Sequence, residues 1–202
     1  MTNIACIGDL HLGIKNGNHT FHEYLTSKLN RTLEEISKSG IKDVFFFGDI
    51  FDNRRSMPVN IIHWCMNDFP ELLKKYNLTA HMLTGNHDTY YLNTNKYNSL
   101  DIFNGFDFIN VYKDYTVLSQ FKVLIIPWIN RENINEIMNG LAIEDKDYYV
   151  FGHFELNGFK MYENSIKFNG GLDLTALREF RHTYTGHFHH PSTRSNITYL
   201  GS

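Results

Sequence analysis

Five polar segments, each opening on a glycine and each following an apolar run, punctuate this chain in order: GDLHLG from Gly8, GDIFD from Gly48, GNHD from Gly85, GHFE from Gly152 and GHFH from Gly186. An apolar run that stops at glycine and turns polar is how a buried strand hands over to a loop, because glycine enters the required tight turns without steric cost. Five such hand-overs place their polar residues on strand-end loops along one rim of an α/β sheet. That rim is where open α/β folds keep their sites.

Apolar runs at residues 4–7, 44–47, 80–83, 123–126, 148–151, 183–184 and 197–200 read as strands. Helical spacing covers 21–39, ending at Gly40, and 58–76, where Pro70 is expected to break or kink the helix. Residues 132–138 predict a shorter helix. Early strands alternate with helices and those from Val111 onward lie closer together, which predicts a two-sheet α/β sandwich flanked by helices. With 202 residues, 42% of them hydrophobic, the chain is expected to form one domain, 1–202, without repeat, low-complexity tract or linker.

The polar residues of the five segments are Asp9 and His11; Asp49 and Asp52; Asn86, His87 and Asp88; His153 and Glu155; His187 and His189. All are oxygen or nitrogen donors. Cys6 and Cys65 fall outside every segment and read as small buried apolar groups, without a disulfide framework. Carboxylate, amide oxygen and imidazole together suit manganese, iron or zinc at an open catalytic centre. Asp9 and His11 lie two apart, as do His187 and His189, so an extended chain would aim each pair to one side. Gly-Asp or Gly-Asn alone is ordinary turn chemistry; five in order predict a metal centre.

The ordered set resembles that of the calcineurin-like metallophosphoesterases, over the chain from Asp9 to His189. Within that superfamily GDLHLG, GDIFDNRR and GHFELNGFKMY resemble the SbcD-type nuclease subunits of double-strand-break repair complexes, and most of all the recombination endonuclease subunits of tailed bacteriophages. The resemblance implies the metallophosphoesterase fold and a binuclear site, with Asp9, His11 and His189 on one divalent ion, Asn86, His153 and His187 on the other, and Asp49 bridging. Two such ions share a bridging hydroxide and clamp an in-line displacement at phosphorus. Manganese is the expected metal, with iron, zinc or magnesium as alternatives. His87 would contact the scissile phosphate and protonate the departing oxygen, work suited to an imidazole, and the carboxylate of Asp52 would orient it. The implied activity is that of a DNA exo- or endonuclease acting with an SbcC-like ATPase in recombination and repair.

Relatives of this type continue through further strands, a capping domain and a helical segment that engages the ATPase, and those regions are expected to be absent here. They also dimerise through helices corresponding to 58–76 and 98–103, so a homodimer is an expectation. Two other readings use the same fold: a small-molecule or nucleotide phosphodiesterase or phosphatase, and a non-catalytic scaffold. Protein phosphatase relatives carry DRG and GNHE where this chain has Asp52-Asn53-Arg54 and GNHD, and scaffolds lose ligands that are all present here.

The net charge of −3 is not that of a generic nucleic-acid binder, so affinity for DNA must be local and metal-dependent. Lys15, Arg54 and Arg55, with Lys96 and Arg131, lie near the segments as candidate phosphate contacts. Tyr90 and Tyr91 follow GNHD, and Phe154, Phe159, Tyr162 and Phe188 interleave with the later donors. Aromatics at such a mouth are candidate stacking partners for unpaired bases, while aromatic residues in loops more often complete a core or interface. The N-terminus enters its first strand at once and no apolar run reaches membrane-spanning length. The expectation is a cytoplasmic protein, bacterial or of a phage-infected cell, with no membrane association.

Overall fold

The computed structural model describes residues 3–172 and 175–202. Strands β1 (Ile4–Ile7), β2 (Asp43–Phe46), β3 (Thr79–Leu83) and β4 (Ile109–Tyr112) form a parallel sheet in that order. Strands β5 (Thr116–Leu118), β6 (Val123–Ile126), β7 (Tyr149–His153), β8 (His182–Gly186), β9 (Ser192–Arg194) and β10 (Ile197–Tyr199) form a second sheet ordered β5-β6-β7-β8-β10-β9. Only its outer pairs, β5/β6 and β9/β10, are antiparallel. The two-sheet α/β sandwich is thus present, with β4, β5 and β9 as strands additional to the runs read from sequence.

Alternation explains why the sheets stack. On β2, Val44 and Phe46 pack toward the helices while Phe45 and Phe47 pack between the sheets, and all four are buried. On β6, Val123 and Ile125 join the inter-sheet core and Leu124 and Ile126 join the outer one. A strand buried on both faces reads as a continuous apolar run, as these do.

The helices cover the outer faces. A single turn, α1 (Ile14–Gly17), precedes α2 (His19–Lys38), whose N-terminus is capped by the Asn18 side chain accepting from the Phe21 N–H at 3.3 Å and which presents Leu29 and Leu33 to the core. Helix α3 (Val59–Tyr76) buries Ile61, Trp64, Cys65, Phe69 and Leu73. Pro70 does not end it. Proline removes one backbone donor, but this ring is buried on the apolar face, so packing offsets the missing bond. Helix α4 (Ile134–Ile143) covers the second sheet with Ile137 and Leu141. No helix among the described residues is long and apolar enough to cross a membrane.

Candidate metal centre

The parallel strands β1, β2, β3, β7 and β8 bring their C-terminal ends to one rim. Asp9 lies two residues beyond β1, Asp49 three beyond β2, Asn86 three beyond β3; His153 ends β7, and His187 follows β8 directly. Close approach of the loops needs glycine: a Cβ on Gly85 would fall on the backbone nitrogen and carboxylate of Asp49, and one on Gly186 would meet the Asp9 carboxylate and the Phe47 carbonyl.

The chain is not extended at three of the candidate donors. His11 (φ 48°), Asp49 (φ 47°) and His187 (φ 85°) are left-handed, a conformation that costs a non-glycine residue roughly 1–2 kcal/mol and clusters at functional sites. Loop-to-loop hydrogen bonds hold it. The Asp49 carbonyl accepts from the N–H groups of Leu10 and His11 (3.2 and 3.0 Å), the Asp9 carboxylate accepts from the His187 N–H (3.0 Å), and the Asp49 carboxylate accepts from the His87 N–H (2.8 Å). The Asp9/His11 pair therefore converges by a turn rather than by strand alternation.

Two donor sets result: Asp9, His11 and His189; and Asp49, His153 and His187. Within each, one atom per residue lies within 4.8 Å of the others. The Asn86 side-chain oxygen sits 2.9 Å from a ring nitrogen of both His153 and His187.

The donor chemistry fits divalent cations. His153 Nδ1 lies 2.7 Å from the Phe47 carbonyl, which can only accept, so Nδ1 carries a hydrogen. Its Nε2 then faces two further acceptors, Asn86 Oδ1 at 2.9 Å and Asp49 Oδ1 at 3.4 Å, an arrangement met by a hydrogen on Nε2, which charges the ring, or by a cation in its place. His11 and His189 meet nitrogen to nitrogen at 3.0 Å, where one hydrogen at most can be shared. His187 Nε2 and His11 Nδ1 are buried without a hydrogen-bond partner among the described residues.

Electrostatics agree. Burial and like-charge repulsion hold three of the imidazoles in their neutral, ligating form: His11 is lowered to about 4 and His187 to about 3 by burial, helped for His187 by the neighbouring His153, and His189 is lowered for the same first reason. Burial would lower His153 too, but Asp49 and Asp9 outweigh it and raise it to about 9, so this ring carries the charge that a cation would replace. Burial raises Asp9 to about 7, with Asp49 adding to it. Burial would also raise Asp49, but the His153 imidazole and the His87 N–H outweigh it and keep this carboxylate ionised. Buried carboxylates and neutral imidazoles facing one another are destabilised together and relieved by a cation.

The remaining residues of the segments do other work. His87 is partly exposed, and its Nδ1 donates to the backbone carbonyl of Asp52 at 2.6 Å. The expected orienting group was the Asp52 carboxylate, which instead lies 3.7 Å from His11 Nδ1. Asp88 is 1% exposed and bonds backbone, its two oxygens accepting from the N–H groups of Phe51 (3.1 Å) and Gly85 (2.9 Å). Burial, with Asp49 nearby, raises it to about 8. Asp88→Ala would orphan both donors, and chemical denaturation is expected to show a loss of about 2–4 kcal/mol; an unmoved midpoint refutes this role. Glu155 belongs to neither donor set and lines an adjoining concavity.

Of the candidate nucleic-acid contacts, Lys15, Arg55 and Tyr90 are exposed and Arg54 is half-buried. Lys15 Nζ stands 3.9 Å over the Phe21 ring. Tyr90, Tyr91 and Tyr97 form an exposed edge-to-face ladder with centroids 4.7 and 5.8 Å apart. Tyr162 is exposed 5.4 Å from His189. Phe154, Phe159 and Phe188 are not at the mouth: all three are core residues of the second sheet. Sequence reading missed Trp128, whose ring packs 6.1 Å from His153 and 5.5 Å from His187. It also missed the asparagines that fix it, Asn95 and Asn133 both donating to the Trp128 carbonyl (2.9 and 3.0 Å). A tryptophan just past an apolar strand was the available signal.

The sequence profile of the family described as calcineurin-like phosphoesterase matches residues 2–202. Exonuclease subunit 1 of Enterobacteria phage T4 is 30% identical over 202 residues, which cover 98% of this chain and 58% of the T4 protein. The chain thus spans little more than half the length of that relative. A chain of known crystal structure superposes with a TM-score of 0.55 over 98% of this chain and 89% of its own, at 10% identity, a likeness of fold alone.

Proposed function

The chain belongs to the calcineurin-like phosphoesterase family, and from that premise we propose that it is the nuclease subunit of a recombination and repair complex, a metal-dependent DNA phosphodiesterase. The observation that carries the reading is the pair of donor sets on one rim, with Asn86 against both histidines of the second set and Asp49 bonded to the His87 N–H. In this reading Asp9, His11 and His189 hold one divalent ion, and Asn86, His153 and His187 the other, with Asp49 serving both; manganese is the metal proposed. Such ions supply Lewis-acid chemistry, polarising phosphoryl oxygens and lowering the pKa of water.

The chain's own groups do the positioning. Asp49 locks the third segment to the second through the His87 N–H. The Asp52 carbonyl fixes the His87 ring by its Nδ1–H, which leaves Nε2 facing the site. In the imidazolium form the Nε2 hydrogen is the proton given to the departing oxygen, and the ring is left neutral with its hydrogen on Nδ1. Arg54, Arg55 and Lys15 extend from the same loops to flanking phosphates, contacts that orient DNA without reading sequence. The T4 relative is by its name one subunit of an exonuclease. By that likeness DNA is the proposed substrate and an SbcC-like ATPase the proposed partner.

The test is hydrolysis of single-stranded and duplex DNA by the chain across a manganese titration, beside a small chromogenic phosphodiester. Metal-dependent DNA cleavage supports the reading; turnover of the small diester alone favours a small-molecule phosphodiesterase. The tyrosine ladder adds a second expectation. Stacking on an aromatic contributes about 1–3 kcal/mol per base, so Tyr90→Ala should weaken single-stranded DNA binding roughly 5- to 150-fold. Fluorescence anisotropy with unchanged affinity would remove Tyr90 from the interface.

A further inference from the structure

Beside the candidate centre lies a concavity of about 300 Å³. One wall is the loop between β6 and α4 with the first residue of that helix, carrying Trp128, Ile129, Arg131 and Ile134; the other is the segment after β7, with Glu155 and Leu172. His153, a donor of the centre, is part of its lining, so the concavity adjoins the centre. Both walls are braced. Trp128 is held by Asn95 and Asn133 through its carbonyl, and the Leu172 N–H donates to the Glu155 carbonyl at 2.8 Å beside a Leu156/Leu172 bridge.

Resting on the nuclease reading, we propose that this concavity is a nucleobase subsite, which takes the unpaired base of the nucleotide next to the scissile phosphate. Its volume lies at the small end of organic-ligand pockets, enough for one heterocycle and far too little for a base pair in its stack. Trp128, Ile129, Ile134 and Leu172 give it an apolar, aromatic lining suited to a flat ring. Arg131 is exposed at the rim and makes no ion pair among the described residues, so its charge is available to the nucleotide's phosphate. The Glu155 carboxylate is an acceptor, which favours bases bearing an exocyclic amine over thymine. A base enters only after leaving its stack, so the subsite selects single strands and frayed ends.

The first test needs no metal. The chain has two tryptophans, and Trp64 lies 8% exposed in the helix-side core, so Trp64→Phe leaves Trp128 as the reporter. Deoxyadenosine monophosphate is expected to quench its emission saturably, 2-deoxyribose 5-phosphate is not, and the wild-type chain should show the same difference over a constant background. Ile134→Phe, which narrows the concavity, and Arg131→Ala, an exposed change that leaves the fold intact, should each weaken the quench. Equal quenching by the base-less sugar phosphate, or none by either, overturns the subsite.

The second test uses single strands with adenine or an abasic residue beside one defined phosphate, cleaved in manganese. Cleavage at the abasic position is expected to fall roughly 5- to 150-fold, and Ile134→Phe should shrink that ratio. Equal cleavage of both strands leaves the nuclease reading standing and ends the subsite. Quenching with no cleavage of either strand ends the nuclease reading and keeps the base pocket. A ratio that survives Ile134→Phe locates base reading elsewhere, as on the tyrosine ladder, and overturns the proposal.

Discussion

Asp49→Ala is expected to lower DNA hydrolysis at least about 10³-fold, beyond the loss caused by deleting a single fixed donor in an enzyme site. Asp49 ties three of the other loops together. Its carbonyl holds the first segment through Leu10 and His11, its carboxylate holds the third through the His87 N–H, and the same carboxylate faces His153 of the fourth at 3.4 Å. The backbone bonds survive the substitution; the carboxylate contacts do not. Asp49→Asn is the sharper companion, because asparagine tolerates the left-handed φ of 47° and keeps the side chain's shape while losing the charge. Calorimetric metal binding and kcat/KM should fall together in both variants. Activity within tenfold of wild type in Asp49→Asn, with metal still bound, would dismantle the assignment of this carboxylate.

How far such a centre can be read from sequence depends on which physical signal each residue leaves. The donors were legible because a glycine after an apolar run marks a strand end, and chemistry-bearing side chains followed each of five such marks. The sheets were legible because β2 and β6 are apolar on both faces. Short polar edge strands such as Ser192–Arg194 leave no apolar period and were invisible. Left-handed φ at His11, Asp49 and His187 follows from hydrogen bonds between loops distant in sequence, which no local pattern encodes. Interleaved phenylalanines left mouth and core both open to the sequence, and Phe154 and Phe188 belong to the second sheet's outer core, because a strand-end loop alternates its residues between rim and core just as the strand does. Pro70 left a break or a kink open to the sequence, and α3 runs unbroken through it because burial, which local propensity does not encode, holds the ring on the apolar face.

The contact between His87 and Asp52 separates two mechanisms that sequence left joined. A carboxylate partner would strengthen an imidazolium by charge, whereas the observed backbone carbonyl fixes only the ring's orientation and keeps a hydrogen on Nδ1, so the proton given up is the second one, on Nε2 of the imidazolium. His87→Ala is accordingly expected to lower kcat for DNA by about 10² to 10⁴-fold, the usual range for a positioned general acid, with metal affinity unchanged. His87→Asn retains a donor for the Asp52 carbonyl but lacks Nε2, so it should be nearly as slow. Asp52→Ala leaves that carbonyl in place and should cost no more than about tenfold, near the low end for a group one shell removed from the chemistry. The leaving group supplies the internal control. A 4-nitrophenolate departs without needing a proton while a deoxyribose alkoxide requires one, so the His87→Ala deficit should shrink sharply on the chromogenic diester. An equal deficit on both substrates would mean that His87 binds phosphate in the ground and transition states alike and delivers no proton. A deficit in Asp52→Ala matching that of His87→Ala would instead assign the carboxylate a role through His11, 3.7 Å away.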